Sequence, residues 1–535
     1  MPVWCVPLAA DSALIYAPYH GISTLVNRAS VDRVRGCLRD ETAEIPDGMD
    51  WIGTLRNPAN VPSARKGDPD PLYLGLIPTR ACTMQCAYCD FAADHVYPLM
   101  SFEMIRRAVD GYAALLEKNG AASWEMHFFG GEPFAAFKEI VFALNYARRK
   151  ADWLGLPAHF EVTTNGFYSE EKSRWIADNF DTVVLSFDGF PETQDRHRPA
   201  PGGRDSFMTV CRNADIFARG NCELIIRSCV SAGNTDELPE WAAFIAERFF
   251  PVSVVLEPMI ASPLSARNGL NPPDPDAFVR SWTTAYRVLR KARIPLIYSS
   301  GEIDTLKTSL CPMGQDAMIV TPDGQIGGCW QLAENRRIAG IDLGFGAVSD
   351  GGLQIDRDAL DRQRALSESN RYRCRSCFCY AHCAGGCLLK GEQNTGFCRM
   401  TRALTLWQLL EQLGCGLMAD GLLEDKAFLD RLADTDDFDC FTAEFPAENS
   451  TLTDPGQAGA EPDISYRRSG TGLPQLPADA ERGWIRDGSR ILLTDPGKDF
   501  VKVWDGEEAL RFRLDHSGMT GQEIETVWMA LREAD

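Results

Sequence analysis

Cationic side chains are in short supply here: 54 Lys and Arg stand against 75 Asp and Glu, a net charge of −21, and histidine occurs only 7 times in 535 residues. So acidic a balance argues against a surface that neutralises phosphates, and hence against nucleic acid as a partner. Long apolar runs are missing too, with nothing near the ~20 residues that cross a bilayer. The chain opens Met1-Pro-Val-Trp-Cys5, without a basic start and an apolar core, so no signal peptide is expected and the reading is a cytoplasmic protein with no membrane partner. Apolar and charged fractions of 45% and 24% are those of an ordinary globular chain, long enough for two or three domains.

Cysteine is the exception, with 18 of them. A chain with no export signal gains little from disulfides, and these cysteines fall in metal-ligand spacings. The densest is Cys82-Thr-Met-Gln-Cys86-Ala-Tyr-Cys89, with no fourth cysteine nearby. A [4Fe–4S] cube has four iron corners that thiolates normally hold, so this loop would leave one iron open to a non-protein ligand. Zinc is the competing reading, because Cys86 and Cys89 form a Cys-x2-Cys pair. It needs a fourth ligand, and no histidine follows before His95.

From Leu72 to about residue 293 strand and helix alternate six times. Strands are expected at 72–79, 125–129, 159–163, 182–187, 223–231 and 252–259. The first helix is expected after an N-cap at Ser101, with Ile105, Ala108, Val109, Tyr112, Leu115 and Leu116 on one face. Further helices are expected at about 136–153, 169–180, 204–219, 236–250 and 275–293. Such βαβ alternation gives parallel strands with right-handed crossovers, and a doubly wound sheet satisfies it as well as a barrel. Residues 294–440 hold most remaining cysteines and little repeating structure before their closing helices. Residues 441–483, rich in Pro, Gly, Ser, Thr and acids, read as a linker. Residues 484–535 read as a small α+β module with strands near 490–494, 500–504 and 509–513 and a helix near 520–532. In the 1–70 segment, two strands flank the His20-Gly21 turn and a helix starts near Ser30.

The three-cysteine loop, with Tyr88 before its last cysteine, resembles the signature of the radical S-adenosylmethionine (SAM) superfamily. The resemblance implies a partial (β/α)6 barrel with its chemistry at the C-terminal strand ends, as in full α/β barrels. It also implies SAM on the open iron, cleaved reductively to a 5′-deoxyadenosyl radical. Gly130-Gly131-Glu132-Pro133 resembles the motif that receives the SAM amino group, and Thr163-Thr164-Asn165-Gly166 a further family element. Ser186 is the first choice for holding the SAM carboxylate or ribose and Arg198 the second, although Arg198 also reads as a surface arginine. Asn234 and Glu257 match the positions of further pocket residues.

Cys311, Gly324, Cys329, Cys374, Cys377, Cys383, Cys387 and Cys398 resemble the SPASM domain pattern, so three [4Fe–4S] clusters are implied. The family's interleaved ligation puts Cys374, Cys377, Cys383 and Cys398 on a distal cluster, and Cys311, Cys329 and Cys387 on a proximal one. The proximal set is one thiolate short. Cys379 could fill the gap, yet lies between distal ligands in the sequence. Cys5, Cys37, Cys211, Cys222, Cys229, Cys415 and Cys440 receive no function. A zinc ribbon is the competing reading of the Cys374–Cys387 block.

SPASM relatives act mostly on peptides and proteins, so the resemblance implies a peptide- or protein-modifying maturase of ribosomally made precursors. Oxidative crosslinking, with a thioether as the first guess, is the leading expectation. Partners would be the substrate, with or without a leader, and an electron donor such as flavodoxin or ferredoxin. The alternatives are side-chain oxidation like that of anaerobic sulfatase maturases, or radical modification of a small molecule. Sulfatase maturases usually carry an aspartate after the cysteine matching Cys329, and here that residue is Trp330. A structural or electron-carrying metalloprotein is the non-catalytic alternative, which the intact three-cysteine loop and Gly130-Gly131-Glu132 oppose.

Overall fold

The computed structural model describes residues 2–59, 61–89, 91, 98–332, 337–338, 341–388, 395–442, 444, 483–487, 490–495, 498–504, 510–511, 514 and 517–534. An antiparallel sheet comes first, of β1 (Trp4–Ala9), β2 (Ser12–Ala17) and β3 (Ile22–Asn27), followed by α1 (Arg28–Arg39) and α2 (Trp51–Leu55). The helix of this segment is capped by Asn27 rather than starting near Ser30, because the Asn27 side chain accepts from the Ser30 N–H. β1 was not expected. It is bonded to the far end of the cysteine-rich region, with Cys5 N–H donating to the Phe438 carbonyl and Cys440 N–H to that of Val3. That partner lies more than four hundred residues away, so local sequence carries no sign of it.

The repeat follows as β4 (Leu74–Leu76), α3 (Phe102–Asn119), β5 (Trp124–Phe128), α4 (Phe137–Leu154), β6 (Ala158–Thr164), α5 (Glu170–Asn179) and β7 (Thr182–Ser186). It continues as α6 (Pro191–His197), α7 (Phe207–Ala218), β8 (Glu223–Val230), α8 (Leu238–Arg248), β9 (Ser253–Pro258), α9 (Pro263–Arg267), α10 (Pro275–Lys291) and β10 (Leu296–Ile297). Strands β4 to β10 pair in parallel and in sequence order. A doubly wound sheet would reverse its order at a switch point, and none occurs, so the arrangement is the partial barrel. Ser101 caps α3, accepting from the Met104 N–H, and Ile105, Ala108, Val109, Tyr112 and Leu116 are buried on one face.

Strand alternation divides each barrel strand between two environments. Trp124, Met126 and Phe128 of β5, and Phe160 and Val162 of β6, are buried in the main core. Glu125 and His127, and His159 and Glu161, therefore face the other side, the barrel lumen.

Beyond β4 the sheet goes on through β11 (Met318–Val320), parallel to β4, and β12 (Gln325–Gly327). After a short hairpin of β13 (Arg337–Ile338) and β14 (Ile341–Asp342) it ends in β15 (Gly344–Ser349) and β16 (Gly352–Ile355). The region is more regular than expected: α11 (Arg357–Tyr372), α12 (Tyr380–Cys383), α13 (Thr395–Gln412), α14 (Gly416–Glu424) and α15 (Lys426–Asp434) complete it.

Nearly all of the expected linker lies outside the described residues. The C-terminal sheet is β17 (Gly483–Asp487), β18 (Arg490–Asp495) and β19 (Lys498–Trp504). The strand expected at 509–513 is a correction, since Leu510 and Arg511 are helical and the third strand precedes the other two. The two residues between the paired Asp487 and Arg490, Gly488-Ser489, are a hairpin-turn dipeptide and were the signal for it. The helix Gly521–Glu533 starts in a capping box of Thr520 and Glu523 and lies on α4, where the Arg149 guanidinium donates to the Leu531 carbonyl. None of the helices searched among the described residues is long and apolar enough to cross a membrane.

Candidate active site

The cysteine loop leaves the C-terminal end of β4, and the ends of β5 and β6 hold it in place. Phe129 N–H donates to the Leu76 carbonyl, Gly131 N–H to that of Thr79 at 3.2 Å and Glu132 N–H to that of Ala81 at 2.8 Å. A Cβ on Gly131 would lie 2.2 Å from the Arg80 carbonyl oxygen and 2.3 Å from that of Ala81. The glycine pair thus lets the cysteine-loop backbone itself approach, where the sequence suggested only a ligand.

Glu132 is buried, and its carboxylate accepts from the Thr164 hydroxyl at 2.9 Å, the Asn165 N–H at 2.8 Å and the Phe134 N–H at 3.2 Å. Burial outweighs these donors and pushes its pKa up to about 7. The Asn165 amide reaches onward, donating to Thr83 Oγ1 at 3.2 Å and to Cys82 Sγ at 3.5 Å. The Met84 N–H also donates to Cys82 Sγ, at 3.4 Å.

Asp188, just past β7, fixes the other half of the loop. Its carboxylate accepts from the Tyr88 hydroxyl at 2.7 Å and the Cys229 N–H at 2.9 Å, lies 3.2 Å from His197 Nδ1, and pairs with Arg198 at 2.9 Å. Burial opposes its charge, but Arg198 and His197 hold the carboxyl well below the usual range. The Arg198 guanidinium lies over the Tyr88 ring and 4.0 Å from Cys86 Sγ. Arg198 is therefore neither on the surface nor free; it is engaged with the cysteine loop. The run expected as a loop around it is helix α6. Asn234 is buried and donates to the carbonyls of Asp188 and Cys229, a bracing role. Glu257 accepts from the Ser299 N–H, and Ser186 ends β7 opposite Arg227, partly exposed.

The remaining cysteines fall into two groups. Cys311 and Cys329 are each raised by burial and by the charge of Cys387, Cys329 to about 12. Cys374 and Cys398 are each raised by burial and by the charge of Cys377. Cys379 belongs with this second group. It is hydrogen-bonded to Cys377, whose thiol it lowers, and lies within electrostatic reach of Cys383.

The donors fit iron–sulfur cubes better than single ions. One zinc would draw its sulfurs to within about 4 Å of one another, given Zn–S bonds of ~2.3 Å. Among the described residues, the one group of three such ligand atoms within 4.8 Å is Glu125, His127 and His159, and no cysteine trio is so close. Amide donors on Cys82 Sγ are also the environment in which cluster thiolates are tuned.

Trp330 occupies the lumen. A Cβ on Gly75 would lie 2.6 Å from the Trp330 indole, which also packs against Phe129 and lies parallel to Tyr73 at 6.0 Å. Tyr73 in turn stacks on His127 at 4.1 Å. Sequence reasoning missed this lumen set and the Glu125–His127–His159 group. Their signal was Glu-x-His in β5 and His-x-Glu in β6, which reads like any half-exposed strand.

Residues 76–245 match the radical SAM superfamily. Over 340 residues the chain is 25% identical to a cysteine-type anaerobic sulfatase-maturating enzyme of Clostridium perfringens, covering 59% of this chain and 89% of that one. It is 24% identical over 363 residues to the serine-type enzyme of Klebsiella aerogenes, covering 63% and 84%. A solved structure of anSMEcpe with bound AdoMet and Cp18Cys peptide superposes with a TM-score of 0.50 at 20% identity, over 66% of this chain and 100% of that one. That likeness is one of fold.

Proposed function

We propose that this chain, a radical SAM enzyme related to the anaerobic sulfatase maturases, oxidatively crosslinks a peptide or protein, a thioether being the first product to seek. Cys82, Cys86 and Cys89 would hold the SAM-binding cluster, with Gly130, Gly131, Glu132 and Ser186 lining the SAM site. Tyr88 and Arg198 would keep the loop in shape through Asp188. Bound there, cluster and SAM supply a hydrogen-abstracting radical, and two auxiliary clusters supply an electron acceptor.

The position of Cys379 carries the reading. It keeps company with Cys377 and Cys383, which leaves Cys311, Cys329 and Cys387 as a set of three. Three thiolates at a fourth-ligand site suit a soft substrate sulfur, and holding that sulfur would orient the peptide. The related anSMEcpe binds a peptide together with AdoMet, which supports the substrate class. Sulfatase-maturase-like oxidation is the second reading, favoured by the two curated relatives. Against it stands Trp330, an indole packed on Gly75 where those enzymes usually carry an acid. For the electron donor, the exposed Arg373 and Arg375 flank Cys374. That cationic lip on an acidic chain suits an acidic carrier such as flavodoxin or ferredoxin.

The test adds a cysteine-containing peptide and its serine counterpart to anaerobically reconstituted protein. The cysteine peptide is expected to perturb the electron paramagnetic resonance of one auxiliary cluster, also when Cys82, Cys86 and Cys89 are all replaced by Ala. Equal response to both peptides, or an aldehyde product trapped by a hydrazine, would overturn the crosslinking reading.

A further inference from the structure

We propose that the floor of the barrel binds one divalent transition-metal ion, zinc being the probe of choice, through Glu125, His127 and His159. These side chains come from neighbouring strands in register: Glu125 lies opposite His159, and His127 opposite Glu161. All four face the lumen, away from the core that takes Trp124, Met126, Phe128 and Phe160.

One carboxylate oxygen is the focus of the group. Glu125 Oε2 lies 2.9 Å from His159 Nδ1 and 4.0 Å from His127 Nε2. Each imidazole directs one nitrogen at that carboxylate and has an oxygen on the other. His127 Nδ1 lies 3.4 Å from Glu161 Oε1, and His159 Nε2 is 3.0 Å from Thr182 Oγ1, itself 3.5 Å from Glu223 Oε2. Metal-bound histidines are built this way, the outer partner fixing the tautomer and ring while the inner nitrogen faces the ion. Tyr73, stacked on His127 at 4.1 Å, restrains that ring further.

A plain hydrogen-bond network accounts for only half of this. It satisfies His159, but 4.0 Å is beyond hydrogen-bond reach, and His127 Nε2 has no hydrogen-bond partner among the described residues. Charge points the same way. Glu125, Glu161 and Glu223 gather at the floor, and His159 and Arg227 are the cationic groups within electrostatic reach of Glu161. Two imidazoles and a carboxylate form a donor set suited to Zn2+ and its neighbours, not to Mg2+ or Ca2+.

The site would be separate from the SAM site. Glu125 lies five positions before Gly130 and His127 three, about 17 Å and about 10 Å at ~3.4 Å per residue. Its reach toward the chemistry is through the rings: the ion would fix His127, hence Tyr73, hence the Trp330 wall beside Cys329. These are positioning residues.

The experiment equilibrates anaerobically reconstituted full-length protein with limiting Zn2+, then measures zinc by mass spectrometry and its ligand shell by X-ray absorption. About one zinc per chain is expected, in a shell of nitrogen and oxygen without sulfur. His127→Gln/His159→Gln should weaken binding at least tenfold while keeping wild-type iron content, which reports the fold. Should that variant lose iron, Glu161→Gln, which touches only the outer nitrogen, is the second arm, with a ~10-fold or greater loss expected. Replacing Cys82, Cys86 and Cys89 by Ala should leave zinc bound. Sulfur in the zinc shell, or equal zinc affinity in wild type and both variants, would overturn the proposal.

Discussion

The two ends of this barrel are polar in different ways. At the C-terminal end, the polar groups are nearly closed on one another. Asp188 accepts from Tyr88 and the Cys229 N–H and pairs with Arg198, while Glu132 takes up Thr164 and Asn165, and both networks end on cysteines of the 82–89 loop. At the N-terminal end, Glu125, His127, His159 and Glu161 are partly exposed and incompletely paired. A closed network fixes a loop in one geometry; an open one keeps donors available. The upper end is thus suited to holding the cysteine loop rigid, and the floor to accepting something from outside.

Removing the centre of the closed network tests that contrast most strongly. Asp188→Ala would leave the Arg198 guanidinium, only 13% exposed, without its anion. Breaking such a buried pair costs about 3–5 kcal/mol, read as a fall in the urea midpoint, and 5′-deoxyadenosine production should be lost with the loop geometry. Glu125→Ala at the floor should shift the midpoint far less. Equal shifts would mean that the two ends are braced alike.

Between the ends lies the Trp330 wall, and its fit to Gly75 gives a smaller, sharper effect. Gly75→Ala alone should destabilise by about 1–3 kcal/mol, since the new methyl meets the indole at 2.6 Å. In a Trp330→Ala background the same change should cost much less, Ile319 Cγ1 at 3.0 Å being the contact that remains, a coupling of about 1–3 kcal/mol in a double-mutant cycle. Additive effects would show that the indole lies elsewhere in solution and that the lumen beside Cys329 is open.

What the sequence disclosed follows the same division. Upper-end residues are contiguous: Cys82 to Cys89, Gly130 to Pro133 and Thr163 to Gly166 are each short runs whose composition is unusual for ordinary loops. The barrel repeat was legible because buried parallel strands and amphipathic helices have distinct periods. Floor residues on the two strands are 32 to 36 positions apart and meet only through strand register, which no local pattern encodes. Arg198 was the second choice for the SAM carboxylate or ribose because the resemblance implies an arginine there, and its pairing with Asp188 has no local sequence sign. β1 was missed for the same reason, since it pairs with residues near 439, whereas the sign of β17, Gly488-Ser489 ahead of Arg490, was local and overlooked.

The smallest effect separates the two carboxylates of the upper end by pH. Asp188 is held low in the folded protein, so its contribution is present above the ordinary Asp range and vanishes only as pH falls through its depressed value. Glu132 has the opposite sign. Burial raises it to about 7 from 4.5, so the folded state binds the proton more tightly than the unfolded one. Ionising it therefore opposes folding, progressively from about pH 4.5 and in full above about pH 7. Glu132→Gln removes that ionisation but accepts hydrogen bonds less well, so the variant should be the less stable at pH 5. As pH rises to 8.5 its deficit should shrink by about 1–2 kcal/mol, measured as the difference in urea unfolding free energy. A deficit that stays constant from pH 5 to 8.5 would mean that Glu132 is ionised throughout, with a cation beside its carboxylate in solution, and the upper end would then be as open to charge as the floor.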